Sequence, residues 1–380
     1  MPWKESTPVS ERSEFVAFAG LPGANVSQLC SRYHISRQTG YKWLRRAQLG
    51  ETDFENRSAR PHASPWQTAP ETEALVLAMR KRYPFYGGRK IRRKLINEAV
   101  VEGVPAASTI TVILKRNGLL SPERRVKRDW QRFEEDSPNA LWQMDFKGHF
   151  PTSQGRCHPL TVLDDHSRFN ICLAACANEL GSTVRDHLTL AFRRYGLPER
   201  MLMDNGAPWG SSGQAVHTRF SAWLIRLGIT VSHGRPLHPQ TQGKDERFHR
   251  TLKLEVISRR PVWHHLQETQ QAFNNWRHEY NFERPHDALD LDVPASRYTP
   301  SLRSFPAVLP PIEYDEELAV RKVKENGSIK LKGGYAFVGK AFSGEPVGLR
   351  EVSNGIWDVY YCHQRIDRLD LNSPSPSREV

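Results

Sequence analysis

Along the first 120 residues, apolar positions recur with helical spacing. Val26, Leu29, Cys30 and Tyr33 fall on one face. His34-Ile35 makes a short turn, and Ser36 is placed to cap a second helix from Arg37 to Arg46. Trp43 and Leu44 can pack inward, which leaves Arg37, Gln38, Thr39 and Lys42 on polar positions. Residues 24–48 therefore read as a helix-turn-helix, within a domain over 1–50. Residues 51–69, with Arg57-Ser58-Ala59-Arg60-Pro61, read as a linker. A second helical unit fills 70–122. It has a helix from Glu71 to Arg82 and a turn at Tyr86-Gly87-Gly88-Arg89-Lys90 leading into a helix to Glu98. A third helix runs from Thr109 to Asn117, closed by Gly118. Arg124-Arg125-Val126-Lys127-Arg128 then lies in a basic connector, 123–136.

After Ser137-Pro138 the pattern changes to alternating strands and helices. Leu141–Lys147, Leu160–Leu163 and Phe169–Ala177 read as strands. Ser182–Tyr195 reads as a helix, Met201–Met203 as a short buried strand, Phe220–Leu227 as a helix and Ile229–Val231 as a strand. Helices over Gly243–Ser258 and Trp263–Tyr280 complete the block, 137–299. Three strands followed by alternating helix and strand predict a mixed sheet flanked by helices, an order similar to the ribonuclease-H-like fold. Residues 300–312 form a Ser- and Pro-rich linker. In 313–372, short runs at Ser328–Leu331, Tyr335–Val338, Pro346–Leu349 and Ile356–Tyr360 alternate with turns. Asn354-Gly355 is a strong hairpin signal, so this part reads as a small all-β, SH3-like barrel. The expected fold class is thus multidomain: N-terminal all-α modules, a central α/β core and a C-terminal β-barrel.

Composition adds a polyanion partner. The 380 residues carry a net charge of +12. Residues 1–132 hold 24 Lys and Arg against 12 Asp and Glu, whereas 133–380 hold 30 of each. A basic module joined to a neutral one suits nucleic acid, although membranes and acidic proteins attract the same charge. Arg and Gln early in a helix such as 37–46 can reach base edges in a major groove. No apolar run reaches membrane-spanning length, and the start lacks a signal peptide, so a cytoplasmic protein with no membrane partner is expected. Five scattered cysteines argue against a disulfide framework. Cys172 and Cys176 read as small buried residues, not zinc ligands.

Three acidic residues stand at the ends of buried elements. Asp145 interrupts a strand, Asp204 closes Met201-Leu202-Met203 before the turn Asn205-Gly206, and Glu246 lies on the helix from Gly243. Carboxylates in a half-buried setting need cations, and three converging carboxylates suit Mg²⁺ or Mn²⁺. Positions three, four and seven residues beyond Glu246 share its helical face. They are His249, Arg250 and Lys253, so a metal carboxylate would stand beside phosphate-binding cations. The helix on its own also fits a solvated surface whose acidic start favours the helix dipole.

Together, Trp142-Gln143-Met144-Asp145-Phe146, Leu163-Asp164-Asp165-His166-Ser167-Arg168, Asp204-Asn205-Gly206, the run from His238 to Lys253, and Tyr280-Asn281-Phe282-Glu283-Arg284-Pro285-His286 resemble the integrase-core transposases of bacterial insertion sequences. The resemblance implies a metal triad of Asp145, Asp204 and Glu246 binding two Mg²⁺ ions, with Mn²⁺ possible. It implies cleavage of DNA at element ends and strand transfer into a target, by a homo-oligomer on double-stranded DNA. Lys253 would touch DNA near the reacting phosphate. Arg250, His249, Arg247, Lys244, Arg37, Gln38, Thr39, Lys42, Arg89 and Lys90 are further candidate DNA contacts. Asp164 and Asp165 would belong to a structural turn with Ser167 and Arg168. Asp245 is the nearest rival of Glu246, and the Gly-Lys-x-Glu-Arg pattern favours Glu246. The 42-residue step from Asp204 to Glu246 is longer than usual in this group, and Trp209–Gln214 reads as a loop insertion that accounts for it. The chain lacks the His/Cys zinc module of retroviral integrases, which favours the bacterial family. A stand-alone nuclease and a regulator with an inactive core are the alternatives.

Overall fold

The computed structural model describes residues 7–57, 67–99, 103–120, 134–210, 217–234 and 243–372. The basic connector at 124–128, loop residues 211–214 and the stretch 238–242 lie outside the described residues. The chain divides into two units, Met1–Thr68 and Ala69–Val380.

The first unit holds helices α1 (Pro8–Ala19), α2 (Val26–Arg32) and α3 (Arg37–Gln48). Each starts at a polar cap: Thr7, Asn25 and Ser36 accept from the backbone N–H of Ser10, Gln28 and Thr39. Phe15, Cys30 and Trp43 form the small core. Helices α2 and α3 meet closely at Gly40, where a Cβ would stand 2.5 Å from Cys30 Sγ. The stretch after α3 is not free chain. The Arg46 guanidinium, 9% exposed, binds Glu51 and donates to the carbonyls of Asp53 and Glu55. Helix α1 escapes the periodicity reading because only Phe15 on it is buried.

In the second unit, α4 (Pro70–Arg82), α5 (Gly88–Asn97) and α6 (Ala107–Arg116) bury Val76, Tyr86, Ile91, Leu95, Ile110 and Leu114 among themselves. The central sheet follows. Its elements are β1 (Leu141–Phe146), β2 (Phe150–Thr152), β3 (Gly155–Asp164), β4 (Asn170–Cys176), α7 (Gly181–Tyr195), β5 (Arg200–Met203), α8 (Arg219–Arg226) and β6 (Thr230–His233). Strand order is β4-β3-β1-β5-β6, with β2 paired to the start of β3. Strands β1, β3 and β4 are antiparallel neighbours, while β1, β5 and β6 run parallel. This is the mixed sheet that the order of elements predicts. Helices α9 (Gly243–Glu255) and α10 (Leu266–Phe282) complete it.

Alternation along the strands separates the two faces. Trp142, Met144, Leu160 and Val162 pack with α7 and α8 residues such as Leu188, Phe192, Trp223 and Leu224. Leu163 and Leu173 turn the other way, onto Phe248 and Leu252 of α9 and Phe273, Trp276 and Tyr280 of α10. Gln143 and Asp145 share this second face by strand parity.

The stretch expected as a linker after residue 300 is pinned to the core. Ser301 N–H donates to Tyr195 O, Leu197 N–H donates to Arg303 O, and the Arg303 guanidinium donates to Pro198 and Gly228 carbonyls. Gly196, at φ 76°, permits this approach, since a Cβ there would lie 2.5 Å from Ser301 O. Beyond it stand β7 (Ala319–Lys322), β8 (Ser328–Leu331), β9 (Gly334–Phe337), β10 (Pro346–Ser353), β11 (Ile356–Tyr361) and β12 (Gln364–Asp370). They form an antiparallel sheet, β12-β11-β10-β7, and a β8–β9 hairpin. Asn354-Gly355 makes the β10–β11 turn, with Gly355 at φ 77°.

His217, just before α8, lies against the Phe342 ring with its Nδ1 buried and without a partner among the described residues. Burial, then the neighbouring His233, push its pKa down to about 4. The unfolded chain takes up that proton near pH 6.5, so it binds more protons between roughly pH 4 and 6.5. Stability therefore falls as pH drops through that window and returns above it. In His217→Phe, the loss of stability from pH 6.5 to 4, followed by urea midpoints, is expected to shrink by about 1–3 kcal/mol. An unchanged pH dependence would contradict this.

Candidate active site

Strands β1 and β5 place the first two candidate carboxylates. Their parallel register sets Gln143 against Leu202. Continued by two residues, that register brings Asp145 level with Asp204, both on the face toward α9. Both side chains stand at the carboxyl ends of adjacent parallel strands, where open α/β sheets bind ligands. Burial raises the Asp145 carboxyl to about 7, and the charge of Asp204 adds to this. Two like charges in partly desolvated surroundings resist joint ionisation.

The neighbours of the pair hold its geometry without cancelling its charge. Asp204 Oδ1 accepts from Gly206 N–H at 2.9 Å, which makes the turn that ends β5. His233 on β6 holds the Asp204 carbonyl through Nδ1 at 2.8 Å. Beside Asp145, Thr161 Oγ1 donates to the Asp145 carbonyl at 3.0 Å and lies 2.8 Å from His249 Nε2. The Thr161 proton is committed to the carbonyl, so His249 Nε2 is the donor and its bare Nδ1 faces Asp145 Oδ2, 3.9 Å away. Burial, then Lys147, hold the His249 pKa down at about 4, so the ring is neutral. Thr161 and His233 are site residues that motif reading did not single out. Only strand pairing brings them there.

Helix α9 is oriented by Phe248 and Leu252, buried on the sheet. On its flank stand Glu246, His249, Arg250 and Lys253. Glu246, Arg247, Arg250 and Lys253 are exposed. Lys253 lies close enough to Lys147, just past β1, to lower the Lys147 pKa, second to burial. Two cations thus follow the carboxylates along one edge. Asp245 points inward, 3% exposed, with Oδ1 unpaired and with Asp145 and Asp165 near it. Glu246 makes no ion pair among the described residues, and those residues contain no ready-made group of three metal-binding side chains. The structure therefore brings Asp145 and Asp204 together, turns Asp245 toward Asp145, and leaves Glu246 exposed on α9, one turn before His249. Asp145 and Asp204 fit a divalent cation, as crowded carboxylates with no basic partner closer than His249 among the described residues, and Asp245 Oδ1 adds a buried oxygen without a partner among those residues.

The other candidates fall in three places. On α3, Arg37, Gln38 and Lys42 are exposed and Thr39 half-buried, and Tyr41 and Arg45 join them on the surface. On α5, Arg89 and Lys90 lie 3.4 and 3.6 Å from Asp287, and Lys90 is mostly buried. With Arg93–Asp292 and Lys94–Glu283 they hold α5 to the segment after α10. Lys244 is bound to buried Asp165 and faces inward. Asp164 is fully buried and accepts from Ser167 and Asn139 N–H groups, so it fastens the β3–β4 turn.

Comparison with known proteins finds "Integrase core domain" over residues 135–239 and again over 227–294. "IS481 family transposase, C-terminal domain" matches 318–377, and "leucine-zipper of insertion element IS481" matches 24–82. The described residues of 24–82 form three separate helices, α2 to α4. A protein of insertion element IS407 from Burkholderia multivorans is 25% identical over 60% of this chain and 83% of its own length. The transposase of element IS904 from Lactococcus lactis is 26% identical over 43% of this chain and 63% of its own. The Gag-Pro-Pol polyprotein of squirrel monkey retrovirus is 31% identical over 38% of this chain, but only 7% of the polyprotein is spanned. Among solved structures, a chain of the simian T-cell lymphotropic virus intasome covers 79% of this chain and 99% of its own, at 16% identity and TM-score 0.38. The BIV integrase catalytic core covers 42% and 92%, at 22% identity and TM-score 0.32.

Helix α9 is fastened at its far end by an ion pair. Glu255 accepts from Arg284 Nη2 at 2.8 Å, and the two side chains are 9% and 10% exposed. Removing one member of a buried pair strands the other charge. Arg284→Met is expected to lose about 3–5 kcal/mol in urea unfolding. Adding Glu255→Leu should restore part of that loss, and a double variant less stable than Arg284→Met would refute this account of the pair.

Proposed function

We propose that this chain, which belongs to the integrase-core transposases of insertion sequences, binds the ends of its own element and cuts and joins DNA strands there. The observation that carries this reading is the placement of Asp145 and Asp204 side by side at the ends of β1 and β5, beside an edge lined by Lys147 and Lys253. Asp145, Asp204 and Glu246 are the residues that would hold two Mg²⁺ ions, or Mn²⁺. Bound there, the metal supplies Lewis-acid activation of an attacking oxygen and stabilisation of the leaving 3′-oxygen.

The chain's own residues position and bind. Thr161 and His249 fix the backbone and one side of Asp145, and His233 fixes Asp204. The carboxylates act as ligands, so no bond forms between protein and DNA. Water in the cleavage step and a DNA 3′-hydroxyl in the joining step use the same site, because only the attacking oxygen changes. Arg250 and Lys253 take phosphates of the strand being cut, with Arg247 on the same helix. In the first unit, α2 and α3 act as a helix-turn-helix that reads the element end, with Arg37, Gln38, Thr39 and Lys42 toward the groove. In the second helical unit, Arg89 pairs with Asp287 yet stays largely exposed and keeps donors for a phosphate, whereas Lys90 serves the fold. The six C-terminal strands act as an SH3-like barrel. Joining two ends in one reaction requires a homo-oligomer on DNA.

A cleavage and strand-transfer assay on end-sequence DNA tests this. Asp204→Asn is expected to lower both reactions at least about a thousandfold, a barrier increase of roughly 4 kcal/mol, and to keep DNA affinity. Near-normal joining by that variant would reject the role of Asp204. In Arg250→Ala and Lys253→Ala, DNA binding should weaken, and the slope of log affinity against log salt should each fall by about 0.9. A slope equal to the parent's would remove them from the phosphate path.

A further inference from the structure

A buried polar lock joins the strand that carries Asp145 to the helix that carries Glu246. Its centre is Asp165, in the turn after β3 and 1% exposed. Asp165 Oδ1 accepts from Gln143 Nε2 at 2.6 Å and from the Lys244 ammonium. Its Oδ2 accepts from Glu135 N–H at 2.8 Å, and its own N–H donates to Leu141 O at 2.9 Å. The Lys244 ammonium also lies 3.4 Å from the Asp165 carbonyl. Gln143 is itself buried on β1.

The spacing is what gives the lock a task. Gln143 precedes Asp145 by two residues on one face of β1. Lys244 precedes Glu246 by two residues in the first turn of α9. One carboxylate therefore grips both elements immediately before their candidate metal ligands. The hydrophobic anchors of α9, Phe248 and Leu252, begin a turn later. The first turn also buries Asp245, whose Oδ1 has no partner among the described residues, so burying that turn costs free energy. The Lys244–Asp165 bond offsets this cost.

Resting on the metal site proposed above, we propose that Lys244, Asp165 and Gln143 are positioning residues that fix the first turn of α9 at the distance from Asp145 which lets Glu246 share a divalent cation. Lys244 then acts inside the fold, not on DNA. Outer residues that orient metal ligands typically change affinity by about 10–100-fold when lost.

The test is Mn²⁺ binding by titration calorimetry on the full, DNA-free chain, with hydrogen exchange of the α9 amides alongside. Lys244→Met is expected to weaken Mn²⁺ binding about tenfold and to speed exchange in residues 244–247 while 250–255 stay protected. Lys244→Arg keeps the cation and should restore both. The double variant Asp165→Asn/Lys244→Met carries no stranded buried charge, so it folds where the single variant fails. It should still bind Mn²⁺ weakly. Parental Mn²⁺ affinity in the double variant, with Asp204→Asn losing the ion, would overturn the lock and leave the metal site standing. Equal Mn²⁺ affinity in the parent and Asp204→Asn would overturn both.

Discussion

Two carboxylates side by side at the ends of parallel strands repel each other, and much of the candidate site is arranged around that repulsion. Asp145 and Asp204 are brought together by the pairing of β1 with β5, a backbone contact that owes nothing to their charges. Their partners, Thr161, Gly206 and His233, grip mainly the backbone at these positions. Lys147 and Lys253 stand along the edge, where a phosphate chain would need them. Among the described residues, a site built this way is electrostatically incomplete. Its completion by a divalent cation and a polyanion follows from the same charges.

Holding such a site open demands rigidity nearby, and the fold supplies it in layers. The sheet is packed on both faces by separate apolar clusters. Helix α9 is seated by Phe248 and Leu252 in its middle, and by the Glu255–Arg284 pair at its end. Its first turn, which carries Glu246, has polar contacts in place of apolar ones. That division leaves the charged end of the helix dependent on a few specific hydrogen bonds.

Much of this was legible in the sequence where local chemistry decides local structure. Ser36 caps α3, Gly196 ends α7 and Asn354-Gly355 turns β10 into β11, each as side-chain chemistry requires. The mixed sheet also followed from the order of runs. Short or polar elements were not legible. Strand β12 carries Arg365, Asp367, Arg368 and Asp370 among its seven residues and gains strand form from pairing with β11. The first half of β3 contains Arg156 and Pro159, which mask its extension. At the site, Asp145, Asp204 and the α9 stripe could be named from motif and period. The inward turn of Asp245 and the bridge from Lys244 to Asp165 could not, since they depend on contacts 79 residues apart in the chain. Arg89 and Lys90 show the same limit: a cation reads alike whether it meets a phosphate or the carboxylate of Asp287.

The ion pairs between α5 and the segment 283–292 have a geometric consequence. Arg93 to Asp292, Lys94 to Glu283, and Arg89 and Lys90 to Asp287 fasten the α4–α6 unit to the sheet domain as one body. If that unit grips a duplex as proposed, these pairs would hold the duplex at a set distance from the carboxylates, as the jaw of a caliper holds its scale. Two of these four pairs, Arg89–Asp287 and Arg93–Asp292, have both side chains exposed, and ionic strength loosens such pairs. The spacing between the helical unit and the sheet is thereby coupled to the salt around the protein.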